Sequence, residues 1–360
     1  MQFSRRRFLL TSSALTSIAG FSWPGVFANA RFPNLRREDV VKEQTPESLK
    51  AIQRGFKWLK RARFSDGTYG IDIRQRPVNI GCTAAVGLAM LANGSTPVQG
   101  PKKDELRKIL SFLIKTIEKM PANNITSSGG SQLQYDLGAQ AHSFYALLFL
   151  TQVAGEGHRP DETLEAARKV IDVVVNAQHA DGSWGHEAWA PILGTVLGWT
   201  SLRSAHFAGF DVGGSPDKTA DFLIQNLRQN QNQHGNDWMH GFYKNAAGIR
   251  VLYEMGRDDD PVVQRAFDDA LKLVTKGSTA FNQAGGEEYL AFHLVTEAML
   301  QKGGDDWKQW FPVVRDKIIK VQNKDGSWTG HHCITSRTFC TATACLVLSA
   351  PNRYLPISQE

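Results

Sequence analysis

The feature that most constrains this chain is a unit that occurs three times. Residues 51–70 carry an amphipathic segment that ends in Phe64-Ser65-Asp66-Gly67-Thr68-Tyr69-Gly70. Residues 167–185 run through Val170, Ile171, Val174 and Val175 to Gln178-His179-Ala180-Asp181-Gly182-Ser183-Trp184-Gly185. Residues 314–330 run through Val314, Ile318, Ile319 and Val321 to Gln322-Asn323-Lys324-Asp325-Gly326-Ser327-Trp328. Apolar positions at helical spacing give each segment one buried stripe. Asp-Gly stops the helix, because glycine accepts the left-handed conformation that a side chain resists. The aromatic residue then folds back on the helix end. A repeat of this kind implies stacked supersecondary units that share one core.

Between these units lie further segments of helical pattern, and two kinds alternate. The pattern predicts helices near 46–62, 80–93, 103–119, 135–154, 161–178, 190–208, 216–229, 240–255, 261–275, 286–302, 307–323 and 337–349. The even members are apolar nearly all round, as in Ala84-Ala85-Val86-Gly87-Leu88-Ala89-Met90-Leu91 and Phe144-Tyr145-Ala146-Leu147-Leu148-Phe149-Leu150. The odd members are charged on one side, as in Asp104-Glu105-Leu106-Arg107-Lys108. Helices of the first kind belong inside and those of the second belong outside. Six hairpins of this type predict an all-α chain arranged as a closed (α/α)6 toroid over residues 46–350. A polar lead-in at 31–45 precedes it, and a tail at 351–360 containing Pro351 and Pro356 follows.

The first thirty residues read as an export signal of the twin-arginine type. Arg5-Arg6-Arg7-Phe8-Leu9-Leu10 opens a short apolar stretch, interrupted by Gly20, Pro24 and Gly25, that ends in Ala28-Asn29-Ala30. This pattern places the mature chain in the periplasm or cell envelope. Of the net charge of +6, three units come from Arg5–Arg7. The weakly basic remainder does not predict a nucleic-acid partner, which needs a concentrated basic face. No later segment is long and apolar enough to predict a membrane span.

The repeat Gln-x-x-x-Gly-Ser-Trp after an amphipathic helix resembles that of the squalene/oxidosqualene cyclase and protein-prenyltransferase superfamily. The resemblance covers most of residues 46–350 and implies the toroid fold; the superfamily's catalytic motifs do not carry over. Asp258-Asp259-Asp260-Pro261 lacks the flanking residues of the cyclases' proton-donating motif. Ser336-Arg337-Thr338-Phe339-Cys340-Thr341 resembles the prenyltransferase segment that supplies a zinc-binding histidine, but Thr341 stands in the histidine's place. Glu287-Glu288-Tyr289 occupies the region of the Asp-x-Cys pair. Gly81-Cys82-Thr83-Ala84 sits where related toroids form a thioester, without the glutamine that a thioester requires.

In a toroid the inner helices start at one end of the ring, which is electropositive from the helix dipoles. The candidate catalytic residues mapped to that end are His240, Tyr243, Glu288, Asp136 and Arg337. His240 and Tyr243, spaced i and i+3, share a helix face suited to acid–base work with a nearby carboxylate. Asp136 and Glu288 serve equally well as helix-terminus ligands. His142 reads as a hydrogen-bonded core residue, and His331-His332 as a solvent-exposed pair. No cofactor or metal is assigned. Cys82 and Cys340 begin the first and last inner helices, so a ring-closing disulfide is expected between them, with Cys333 as the alternative partner of Cys82. Reduced cysteines, with Cys82 activated by its helix N-terminus, are the second reading. Three functions stay open: a ligand- or protein-binding module, an enzyme of isoprenoid substrates, and a carbohydrate-active lyase or hydrolase. The expected ligand in the ring is an isoprenoid, a sugar or a peptide.

Overall fold

The computed structural model describes residues 43–121, 130–155, 157–215, 217–230, 242–243, 247–275 and 282–358. The export signal, most of the lead-in and His240 lie outside the described residues. Among the described residues the chain is all-helical. Six amphipathic helices are α1 (Pro46–Ala62), α3 (Lys103–Lys119), α6 (Pro160–Asn176), α8 (Asp217–Asn230), α10 (Pro261–Thr275) and α12 (Gly304–Lys320). Six apolar helices alternate with them: α2 (Ile80–Ala92), α5 (Ala141–Val153), α7 (Pro191–Phe207), α9 (Ala247–Glu254), α11 (Gly286–Lys302) and α13 (Arg337–Ser349). A six-residue helix, α4 (Gln132–Leu137), precedes α5.

The two kinds differ in burial as the sequence pattern requires. Every residue of α2 and α5 is buried, whereas α3 buries one stripe made by Leu106, Ile109, Leu110, Leu113, Ile114 and Ile117. Each apolar helix packs on the next. Contacts pass from α2 to α5, α7, α9, α11 and α13, and return from α13 to α2. Neighbours meet like end to like end. The N-terminal turns of α2 and α5 join where the Gly81 N–H donates to His142 Nδ1 at 2.9 Å. Near the opposite ends of α5 and α7, Gln152 Nε2 donates to Ser204 Oγ at 2.6 Å.

The repeat turns connect this apolar set to the amphipathic set. In each turn the aspartate Oδ1 accepts from the backbone N–H and the hydroxyl two residues on, at Thr68, Ser183 and Ser327. The glycines adopt φ of 91°, 89° and 95°. A Cβ on Gly67 would lie 2.4 Å from Lys108 Cβ, one on Gly182 2.4 Å from the Lys218 backbone, and one on Gly326 2.6 Å from the Arg54 carbonyl oxygen. Each turn thus abuts the next amphipathic helix, and the last turn abuts the first helix. The Gln178 and Gln322 side chains close their turns by donating to Gly182 O and Gly326 O. They also reach the next helical pair, at Ser215 O and Ala51 O.

Two sequence expectations change. The single helix expected over 135–154 is broken at Gly138, where φ is 97° and the backbone passes close to Gly185. The C-terminal segment packs as two 3-10 turns, Ala350–Asn352 and Pro356–Ser358, rather than trailing off. It buries Leu355 and Ile357, and Ser358 Oγ donates to Glu297 Oε2 at 2.8 Å. Glu297 also pairs with Arg250 at 3.0 Å, Arg250 with Glu254 at 2.7 Å, and Glu254 with Arg203 at 2.7 Å. Buried charges need such partners, because an unpaired charge in an apolar interior is costly. Asp260 of the acidic run 258–260 receives the Val262 N–H at the start of α10, so it is a helix-end ligand.

Candidate functional site

The apolar helices begin on the side of the molecule where the short helix α4 and the loop before α13 meet. The break at Gly138 turns the chain sharply after α4. It leaves Tyr135 80% exposed and sets Asp136 at the edge of the interior, 6% exposed. The segment entering α7 lies alongside, with the Trp189 and Ala190 N–H groups donating to the carbonyls of Tyr135 and Asp136. Trp189 is 56% exposed, and its indole Nε1 donates to the Tyr243 hydroxyl at 3.2 Å.

Opposite this rim, α11 begins with Gly286-Glu287-Glu288, and both carboxylates are fully buried. Glu288 Oε2 accepts the Gly285 N–H at 2.6 Å, which completes a helix cap. Its Oε1 is buried with no hydrogen-bond partner. Glu287 Oε2 accepts the Ile334 N–H at 3.3 Å, and its Oε1 lies 2.8 Å from His332 Nδ1. His332 Nε2 lies 3.5 Å from Glu288 Oε2. The loop that carries His332 and Cys333 is fastened to the start of α11 by two backbone bonds, His331 N–H to Ala284 O and Gly286 N–H to Ile334 O. Gly285 and Gly286 permit this approach: a Cβ on either would lie within 3 Å of the His332 carbonyl or the Ile334 side chain.

Three carboxylates therefore converge with a histidine, a cysteine and a tyrosine. Burial, and then the charge of Glu287, push Glu288 well above the ordinary carboxylate range. Asp136 is raised to about 6 by burial and by Glu287, with His332 opposing. The Cys333 thiol is pushed up to about 12, by burial first and then by Glu287. Burial also raises the Tyr243 hydroxyl, to which Trp189 donates. The donor atoms of Glu287, His332 and Cys333 all lie within 4.8 Å of one another, so these three could hold a metal ion.

Of the residues singled out in the sequence, Asp136, Tyr243 and Glu288 come together here. Arg337 does not. Its guanidinium binds Asp325 and Ser327 Oγ of the last repeat turn and covers the Trp58 ring at 4.9 Å. His142 is the core residue expected: its Nδ1 accepts from Gly81, its Nε2 lies 2.9 Å from Ser131 Oγ, and burial lowers it to about 4. His332 and Cys333 were missed as a pair. Adjacent residues point apart on a helix, but here they occupy a loop in which Cys333 takes φ of 43°.

The expected disulfide is not formed. Cys82, Cys333, Cys340 and Cys345 are all free thiols. Cys82 Sγ lies 3.5 Å from Ser336 Oγ, and Cys340 Sγ donates to Ile334 O at 3.8 Å. Cys333 instead faces Glu287. Cys82 is not activated either, because burial pushes its thiol up to about 12.

The cavity at the centre of the apolar set is small. Residues of all six apolar helices line a cavity of about 40 Å³, and Leu355 and Ile357 of the C-terminal segment close it. No helix among the described residues is long and apolar enough to cross a membrane. No family model matches this chain, and no curated protein matches it.

Proposed function

We propose that this protein is an exported (α/α)6 toroid of the squalene-cyclase and prenyltransferase type, and that it is a ligand-binding module whose site is the mouth of the ring. The closed sequence of helix contacts and the seating of the Gly326 turn on α1 support the toroid. The observation that carries the functional reading is the meeting of buried carboxylates, one oxygen of Glu288 without a partner, with the exposed aromatic rings of Tyr135 and Trp189. Unsatisfied buried polar atoms mark a place where an interaction partner is missing.

The ligand that fits is polar and not anionic. Asp136, Glu287 and Glu288 repel a diphosphate, and they offer acceptors to hydroxyls while the rings offer flat faces. A central cavity of about 40 Å³ is far below the ~300 Å³ at which small-molecule pockets begin. That size disfavours an isoprenoid inside the ring and favours a sugar at the mouth. Calorimetric titration with a panel of oligosaccharides and with farnesyl diphosphate tests this reading. A sugar should bind, and Trp189→Ala should abolish its binding. Binding of the diphosphate that is indifferent to Trp189→Ala would overturn the reading.

A carbohydrate lyase or hydrolase is the second reading, favoured by the convergence of Tyr243, His332 and Glu288 in one site. It requires that Tyr243→Phe abolish product formation from a bound sugar while leaving the sugar's affinity nearly unchanged.

A further inference from the structure

We propose that Glu287, His332 and Cys333 form a transition-metal site, with zinc the chemically best-suited ion, at the mouth of the ring. The inference rests on the mouth being the functional site, and it names what completes that site. A carboxylate oxygen, an imidazole nitrogen and a thiol sulfur are a mixed hard and soft donor set that suits zinc and disfavours magnesium or calcium. Their donor atoms already lie within 4.8 Å of one another. Zinc–donor distances are about 2.0–2.3 Å, so small side-chain rotations bring all three onto one ion.

Three observations point to a bound cation beyond the donor types. The first is electrostatic. Glu287 and Glu288 are adjacent, fully buried carboxylates with Asp136 beside them, and among the described residues His332 is the basic group placed with them. A divalent ion offsets that accumulation. The second is an orphaned polar atom: Glu288 Oε1 is buried without a hydrogen bond, although the surrounding backbone groups are paired. The third is the support of the ligands. One oxygen of Glu287 is held by the Ile334 N–H, which leaves the other directed at His332. Cys333, in the left-handed region with φ of 43°, brings its thiol to the same side as the preceding histidine. Such outer bonds orient metal ligands.

Three protein ligands leave a fourth position for water or ligand, the arrangement of reactive rather than purely structural zinc sites. Asp136, Glu288 and Tyr243 surround the cluster and would receive hydrogen bonds from whatever fills that position. Binding displaces the thiol proton of Cys333 to solvent and forms a sulfur–metal bond, with no change of oxidation state in either partner.

Cobalt(II) added to the metal-stripped full-length protein is the direct test. One equivalent should produce a thiolate-to-cobalt charge-transfer band in the near ultraviolet, together with visible bands of tetrahedral strength. Cys333→Ser should abolish the charge-transfer band, and His332→Gln should weaken cobalt affinity by about a hundredfold. His332→Cys retains a soft ligand and should bind with a stronger thiolate band, which separates loss of a ligand from loss of folding. Cys345→Ser should leave the spectrum unchanged. No stoichiometric binding, or a band that survives Cys333→Ser in a folded protein, would overturn the metal site. Sugar binding that persists in the stripped protein and fails with Trp189→Ala would leave the mouth intact as a ligand site without its metal.

Discussion

The backbone N–H of Trp328 donates to the side-chain hydroxyl of Thr341 at 3.0 Å, and this bond ties the last repeat turn to the N-terminal half of α13. The same link joins Trp184 to Thr195 at 3.1 Å and Tyr69 to Thr83 at 3.1 Å. The two tryptophans also donate their indole N–H to a carbonyl of the preceding amphipathic helix, at Ile318 and Val174. The aromatic residue of the repeat is therefore a fastener between an amphipathic helix and its apolar partner, not a cavity-lining group.

Trp328→Ala removes a fully buried indole and its hydrogen bond to the Ile318 carbonyl, while the backbone bond to Thr341 stays. The expected cost is about 3–5 kcal/mol. Trp328→Phe keeps most of the volume and loses the indole bond, so about 1–2 kcal/mol is expected. Urea unfolding of the two variants measures both; equal losses would refute the separate packing contribution, and an unchanged Trp328→Phe would refute the hydrogen-bond contribution.

Gly326→Ala and Gly209→Ala differ in one respect that stability measurements can isolate. Both glycines have positive φ, 95° and 88°, but a Cβ meets the Arg54 carbonyl only at Gly326, while nothing lies within 4 Å at Gly209. Gly209→Ala should cost roughly 1 kcal/mol from backbone strain alone. Gly326→Ala should cost roughly 2–4 kcal/mol, because the turn must also back away from α1.

Arg337 was expected in the site and is instead a brace of the last repeat turn. Arg337→Ala should lower stability by about 1–2 kcal/mol through lost bonds to Asp325 and Ser327 and lost packing on Trp58. Ligand affinity at the mouth should stay unchanged in calorimetry. A large loss of affinity in a folded variant would return Arg337 to the site.

His142 makes stability depend on pH. Its folded value is depressed from 6.5 to about 4 by burial, so the unfolded chain binds more protons between those values. The contribution is fully present above pH 6.5 and is lost as pH falls from 6.5 towards 4, by up to roughly 3 kcal/mol. Comparing urea midpoints at pH 7.5 and pH 5 in the parent and in His142→Gln should show a smaller acid-induced drop in the variant.

The four free thiols predict a simple chemical result. In denaturant without reductant, all four cysteines of the chain should react with a thiol reagent. In the folded protein Cys82, Cys340 and Cys345 should be protected by burial, leaving Cys333 as the site of any slow reaction. Fewer than four reactive thiols on unfolding would restore the disulfide.

The sequence by itself determined the all-α class, the alternation of amphipathic and apolar helices and the chemistry of the repeat turns. The predicted bounds of α1, α3, α10, α11 and α13 coincide with the observed ones. These features are legible because helical periodicity, Asp-Gly stops and helix caps act over a few residues of chain. Tertiary structure alone decided the site. Glu287 and the loop before α13 are bridged across 47 positions at Ile334, and their meeting depends on how α11 and α13 lie side by side. The positive φ of Cys333 and the break at Gly138 are set by close backbone approach, which leaves no periodic signature. The cysteines followed the same logic: proximity of α2 and α13 was foreseeable, but which atom each thiol faces was decided by packing, and it gave them Ser336, Ile334 and Glu287 as neighbours instead of one another.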